Sequence, residues 1–445
     1  MAALPKSLRY YLNRLSLSVN KFKIRPLNQA SAQPGDVISF DLPASHVLLD
    51  SLELTWDLTT TNGGGAATTC RLAQGVESAV EQISVESNGY MIDSGCAMTN
   101  QLYQLFMDYK LGADKRPLRR ALQNQTVGNP TGFHAAERMS LNSWLGFLGS
   151  VQPRVIDVSL APLRVYVKLA GANRAFIGAG AAPVTCGINF ANITAYVDCI
   201  ALDDGGVYEA GVAKLMQSNP LELPFDRYYT TLGGTPAGTQ DTLGFNLSTQ
   251  SLDYVCGVWM DPQAVSASNY APVAFTPGSW TDIPSTGGSN AAVDAVVARI
   301  NANAKPDYKS AYFVHGTGAN TSLASSQFQV GAVSYPTYPA TAPEAFAQTA
   351  DAFGIYRATK GVSSAPWLDG LANYQALGCA HAVSFEYPGA EPELRLASGL
   401  NTLGNSAGIQ WVTEVAGAAR ASKMLVAKTT AIARVGQYKQ VEVIA

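Results

Sequence analysis

Charge is scarce in this sequence. Asp, Glu, Lys and Arg make up 14% of its 445 residues, against 47% hydrophobic residues, which excludes an intrinsically disordered chain. Cysteine is scarce too. Cys70, Cys96, Cys186, Cys199, Cys256 and Cys379 are scattered and no C-x-x-C occurs. That excludes a small disulfide framework and predicts buried free thiols in a reducing compartment. The four histidines, His46, His134, His315 and His381, show no metal-ligand spacing. The G-x-S-x-G, G-x-x-x-x-G-K-S/T and H-E-x-x-H motifs are all missing. The most apolar window, Ala175 to Val197, follows Arg174 and contains Pro183, Asn189 and Asn192, so no membrane span is predicted. No apolar stretch of the signal-peptide kind follows the basic N-terminus. The sequons at Asn124, Asn192, Asn246 and Asn320 are therefore read as chance matches.

What is present points to strands. Forty Gly and 23 Pro mark many turns, and Val, Thr and Tyr are frequent. The net charge of −3 conceals a polarity. Residues 1–30 hold Lys6, Arg9, Arg14, Lys21, Lys23 and Arg25 and no acid, which leaves 24 basic against 33 acidic residues in the remainder. The final stretch is basic again, with Arg420, Lys423, Lys428, Arg434 and Lys439 against Glu414 and Glu442. Two solvated termini account for this pattern. So do two ends that face an anionic surface, such as nucleic acid or lipid headgroups. Leu8, Tyr11, Leu12, Leu15 and Val19 fall at helical spacing. They predict a short amphipathic helix in an N-terminal arm, packed on its own domain, on a neighbouring subunit or on a membrane surface.

Strands are predicted at 37–43, at 48–60 (Leu52, Leu54, Trp56 and Leu58 alternate), at 154–162, 163–170 and 193–202. Residues 80–87 alternate, Asn88-Gly89 marks a hairpin turn, and Leu102, Phe106 and Tyr109 continue at helical spacing. Residues 202–206 break the series, and 207–219 read as a linker. A second series follows at 225–232, 242–248, 252–260, 328–335, 381–387, 408–415, 423–435 and 438–444. Its helix, at 339–354, places Phe346, Ala350 and Phe353 on one face. Residues 262–325, rich in Ser, Gly, Asn, Ala and Pro, read as a surface insertion. A strand–turn–helix element thus recurs in corresponding places of two strand series. The prediction is an all-β chain: two tandem eight-stranded jelly-roll β-sandwiches with short loop helices.

Asp203-Asp204 beside Gly205-Gly206 reads as an inter-domain turn in preference to half a metal site. The aromatics at strand spacing read as core. Paired carboxylates of a glycosidase have no spacing signature, so a glycan-acting or carbohydrate-binding β-sandwich remains an alternative.

Four pieces occur in one order: "ISFDLPASHVLLDSLELTWDLTTTN" (38–62), "VEQISVESNGYMID" (80–93), "TNQLYQLFMDY" (99–109) and "MLVAKTTAIARVGQYKQVEVI" (424–444). This order resembles the double jelly-roll major capsid proteins of tectiviruses, adenoviruses, virophages, polinton-like viruses and large eukaryotic DNA viruses. The polinton-like virus and virophage members are the most similar. The resemblance divides the chain into a basic arm (1–30), a first jelly roll (31–206), a linker (207–222) and a second jelly roll (223–445). It implies a non-enzymatic virion protein without cofactor or metal. Three chains would form a homotrimer of six jelly rolls with a near-hexagonal outline. These trimers would tile an icosahedral shell around a DNA genome, next to penton and minor capsid proteins. Long loops would rise outside and both termini would lie at the base. Lys6, Arg9, Arg14, Lys21, Lys23 and Arg25 would then make non-specific contacts with an internal membrane, the genome or neighbouring proteins. A viral spike, penton or minor shell protein is the other alternative.

Overall fold

The computed structural model describes residues 16–62, 69–72, 76–110, 122, 132–171, 176–179, 186–203, 206–233, 238–260, 322–353, 380–386, 399–403, 408–416, 422–436 and 440–444. The first series comprises β1 (Ser16–Ile24), β2 (Val37–Asp41), β3 (His46–Asn62), β4 (Thr69–Leu72), β5 (Val80–Ser87), β6 (Tyr90–Asp93), α1 (Thr99–Lys110), β7 (Gly132–Ser140), α2 (Phe147–Ser150), β8 (Val155–Asp157), β9 (Leu163–Leu169), β10 (Phe176–Ala179) and β11 (Cys186–Asp203). Helix α3 (Val207–Ser218) leads to the second. There follow β12 (Leu221–Gly233), β13 (Gln240–Asn246), β14 (Leu252–Met260), β15 (Ser322–Val330), β16 (Val333–Ala340), α4 (Ala342–Ala352), β17 (Ala380–Ser384), β18 (Gly408–Ala416), β19 (Ser422–Val435) and β20 (Val441–Ile444).

Each series folds into two antiparallel sheets. In the first their orders are β1-β11-β3-β7 and β2-β9-β5-β6; in the second they are β12-β19-β14-β17 and β13-β18-β15-β16. Strand for strand, these are the same order. Each is the eight-stranded, two-sheet arrangement of a jelly roll, so the internal repeat extends to the whole topology. The pairs β3–β8, β19–β20 and β4–β10 lie outside the repeat.

Alternation explains why these segments are strands. On β9, Leu163, Val165, Val167 and Leu169 are buried and Arg164, Tyr166 and Lys168 face outward. The outward side chains meet acids on the flanking strands: Arg164 Nε to Asp41 Oδ1 at 2.6 Å, Tyr166 Oη to Glu86 Oε2 at 2.7 Å and Lys168 Nζ to Glu81 Oε1 at 3.3 Å. Such cross-strand pairs fix register on the solvent side. The Asn88-Gly89 turn has φ of 49° and 80°, the two positive values that a two-residue hairpin turn of the primed kind needs.

Several segments differ from the sequence reading. Residues 16–24, expected within a loose arm with helical periodicity, form edge strand β1, paired with β11 from Ser16–Asp203 to Ile24–Ala195. Pairing with β11 overrides the helical spacing here. The expected linker 207–219 is a 12-residue helix. Residues 328–335 are the close of a hairpin, with Val330 facing Val333 across Gly331-Ala332. The strand expected at 154–162 shrinks to Val155–Asp157. The expected insertion lies almost wholly outside the described residues, and β15 begins at Ser322.

The core of the first roll does not stop at its own sheets. Leu223, Phe225, Ala431, Ala433 and Val435, from β12 and β19, belong to the same buried cluster as Trp56, Val165 and Phe190. Helix α2 makes this junction: the Phe147 and Phe225 rings meet edge-on at 5.2 Å, and Gln152 N donates to Pro224 O at 3.0 Å. The Ser150 hydroxyl accepts from Asp226 N at 2.8 Å. A separate core fills the second roll around Trp411, Trp259 and Phe328. Gly257 on β14 has no room for a side chain, because a Cβ there would stand 2.3 Å from the Trp411 ring. Cys96, Cys199 and Cys256 are buried free thiols.

Candidate functional site

Register sorts the two rolls into opposite ends. The start of β1 faces the end of β11, and Ser87 faces Leu163 at the start of β9. A depression of about 810 Å³ gathers Ser87, Asn88 and Tyr90 of the first roll with Pro220, Arg434, Gly436 and Gln440 of the second. One end therefore collects the entry of the described chain, the first hairpin turn, the passage between rolls and the turn into β20. At the other end β3 stops at Asn62 opposite Cys186, and β14 stops at Met260 opposite Ser422. Asn62 and Met260, the last described residues before 63–68 and 261–321, both lie at that end.

The six predicted contact residues separate. Lys6, Arg9 and Arg14 lie outside the described residues. Lys21 and Lys23 are exposed on β1, which carries them up the side of the first roll, and Arg25 follows its last residue. Lys23 Nζ lies 5.8 Å from the centre of the Tyr196 ring on β11. Val19 and Phe22 are 61% and 44% exposed on the same strand. Lysines on an exposed edge also discourage unwanted strand pairing.

In the basic C-terminal stretch Arg420 and Lys439 lie outside the described residues, and Lys423, Lys428 and Arg434 are paired with acids, which the charge pattern did not suggest. Lys423 on β19 is buried inside the second roll, with Nζ 2.9 Å from Asp241 Oδ2, a hydrogen bond to the Thr413 hydroxyl and the Trp411 ring centre 5.0 Å away. Burial lowers its pKa, opposed by Asp241. Lys428 stands among three carboxylates, at 2.7 Å from Glu386 and 3.7 Å from both Asp226 and Asp253. Burial pulls the Lys428 ammonium down, but Asp226, Tyr228, Glu386 and Asp253 outweigh it and hold its pKa above the ordinary lysine value. Burial raises Asp253 to about 6, against Lys428 and a hydrogen bond from Ser251. Arg434 pairs with Glu222 at 2.9 Å. These cations neutralise acids of their own roll, which a formal charge count cannot reveal.

Among the described residues Asp226, Asp253 and Glu386 converge on Lys428, whose ammonium occupies the space between them. A serine–histidine contact also occurs, Ser326 Oγ to His381 Nδ1 at 2.6 Å. Both residues are fully buried. Trp411 Nε1 donates to Ser326 Oγ at 2.9 Å, and His381 Nε2 meets Gln348 Oε1 at 2.7 Å. Burial drops His381 to about 3, so the imidazole is neutral and relays hydrogen bonds between β15, β18 and α4. Among the described residues no group of His, Cys, Asp or Glu could hold a metal, and no helix is long and apolar enough to cross a membrane.

The two loop helices meet at the junction of the rolls. Phe106 of α1 packs 5.0 Å from Phe353, the residue that ends α4. It lies 6.3 Å from both Tyr228 and Tyr254 of the second roll. Both phenylalanines occupy the helical faces read from the sequence; that those faces clasp one another was not legible there. Burial, with the nearby Asp226 charge, pushes the Tyr228 hydroxyl above its ordinary range.

No family model matches the chain, and no curated protein sequence matches it either. Solved structures do. PBCV-1 VP54, fitted into a reconstruction of the virophage Sputnik, aligns over 97% of this chain and 97% of its own, with 16% identity and a TM-score of 0.55. The Faustovirus major capsid protein aligns over 94% of this chain and 90% of its own, with 9% identity and a TM-score of 0.56. A chain of the Sputnik virophage structure aligns over 96% and 88%, with 11% identity and a TM-score of 0.51. At these identities the likeness is one of fold, and the chain has the double jelly-roll fold of these viral proteins.

Proposed function

We propose that this chain is a viral major capsid protein with a structural, non-catalytic role in the virion. The observation that carries the reading is the exact duplication of sheet order, β1-β11-β3-β7 with β2-β9-β5-β6 and then the same again. Two such rolls, welded where β12 and β19 enter the core of the first, make a rigid brick two sandwiches wide. Three bricks around a three-fold axis give six rolls and a near-hexagonal outline, which tiles a flat facet. The end that gathers the chain entry and the roll-to-roll passage is the inner face in this reading. Lys6, Arg9 and Arg14 lie just before that entry and would meet the genome or an internal membrane through non-specific charge. Neighbouring trimers, penton and minor capsid proteins are the other partners. A low overall share of charged residues, 14%, fits a protein whose sides are covered by neighbours, and a permanent interface buries on the order of 2,000–5,000 Å².

The test is the assembly state. Light scattering on the purified 47.0 kDa chain should give about 140 kDa, and negative-stain images should show hexagonal particles with a three-fold axis. A strict monomer across pH and salt overturns the proposal.

A further inference from the structure

A second depression, of about 470 Å³, runs along α3. Its walls are Leu160, just beyond β8, Tyr208, Val212, Leu215 and Met216 of α3, and Leu221 at the start of β12. Leu215 is 36% exposed, and the Tyr208 ring rests edge-on at 4.7 Å on His46. The helix is thus anchored at its beginning and leaves an apolar trough alongside.

We propose that residues 6–15 of the same chain form an amphipathic helix that seats in this trough. Three observations select that occupant. The first is position: Ser16, the first described residue, pairs with Asp203, four residues before α3 begins. The second is reach: β8 lies three strand spacings from β1, through β11 and β3, or roughly 14 Å. Ten helical residues span about 15 Å. The third is pattern: at 100° per residue, Leu8, Tyr11, Leu12 and Leu15 fall within one arc, and Lys6, Arg9 and Arg14 fall on the opposite side. Seated with its apolar arc inward, the segment hides four large apolar side chains. It also turns three cations outward from the end where the chain enters the rolls. The inference rests on the trough and the sequence pattern and stands whether or not the chain is a capsid protein.

Limited trypsin digestion of the full chain tests it, followed by mass spectrometry of cleavage after Arg14. Both Leu8→Asp, in the proposed segment, and Leu215→Lys, in the trough, should accelerate this cleavage at least about tenfold over the unaltered chain. Leu232→Lys, at another exposed leucine (38%), should leave it unchanged. A Leu12→Cys, Leu215→Cys pair should form a disulfide within one chain at a yield independent of protein concentration. Equal cleavage in all variants without such a disulfide overturns the proposal. A disulfide found only between chains overturns it in favour of a neighbouring copy. Protection that appears only when phosphatidylcholine–phosphatidylglycerol vesicles are added overturns it in favour of a lipid surface.

Discussion

Glu137 is a buried carboxylate that accepts from the Trp56 indole N–H at 3.2 Å. Burial raises its pKa from 4.5 to about 7, against that hydrogen bond. Its folded pKa stands above its unfolded value, so its contribution to stability is full below about pH 4.5 and is lost as pH rises through 7. Glu137→Gln keeps an acceptor for Trp56 and removes the charge. The variant should melt close to the unaltered protein at pH 4.5. At pH 8 it should be more stable by on the order of 2–3 kcal/mol. Thermal melts at the two pH values check this, and an equal difference at both would show that charge is not the cause. Asp253 titrates with the same sign, with its pKa at about 6. At this scale the sequence was a poor guide. Glu137 is one acid among 33, and its burial depends on a β3–β7 pairing between residues about 80 positions apart. Lys423 and Lys428 misled for the same reason: their acids come from β13, β12, β14 and the residues after β17.

Whole elements were more legible, because alternation and helical spacing are local. The hairpin at 80–93 and helix α1 were readable from Ile83, Val85, Asn88-Gly89, Leu102 and Phe106. Gly331 inside 328–335 hid a second hairpin; it sits at φ 63°, a turn value that one glycine in an apolar run does not announce. Strand β1 was hidden because Leu8 to Val19 satisfies a helical period, and only pairing with β11 decides otherwise. The clasp between α1 and α4 is tertiary and has no local signal. It nonetheless makes a sharp prediction. Phe106 is 3% exposed and stands against three rings of the second roll, so Phe106→Ala should cost about 3 kcal/mol or more. Leu102→Ala removes a fully buried side chain one turn earlier on the same helix. Both variants should be destabilised in urea. Only Phe106→Ala should also loosen the junction, seen as faster hydrogen exchange in β12 and β14. Equal exchange there in both variants would mean that α1 serves its own roll alone.

At the scale of the molecule, the N-terminus is where structure changes the experiment. Read as an arm of 30 residues, it could be removed without touching either roll. The pairing of Ser16–Ile24 with β11 and the hydrogen bond from Ile193 N to Ala30 O at 3.0 Å place half of that arm inside the first sandwich. Deleting residues 1–30 strips nine residues of backbone pairing from β11 and opens a new sheet edge, a template for aggregation. Deleting residues 1–15 leaves every described strand in place and removes Lys6, Arg9 and Arg14. The shorter deletion should therefore retain the about 140 kDa species and the strand signal in circular dichroism, losing only the helical signal and the packing that residues 6–15 add. It should fail at a later step, giving fewer closed shells and weaker, less salt-sensitive binding to DNA or anionic vesicles. The longer deletion should aggregate or lose the assembled species altogether. If both deletions assemble equally well, β1 is dispensable and its edge is completed by something else. If the shorter one already loses the trimer, the first 15 residues hold subunits together and do not face the interior.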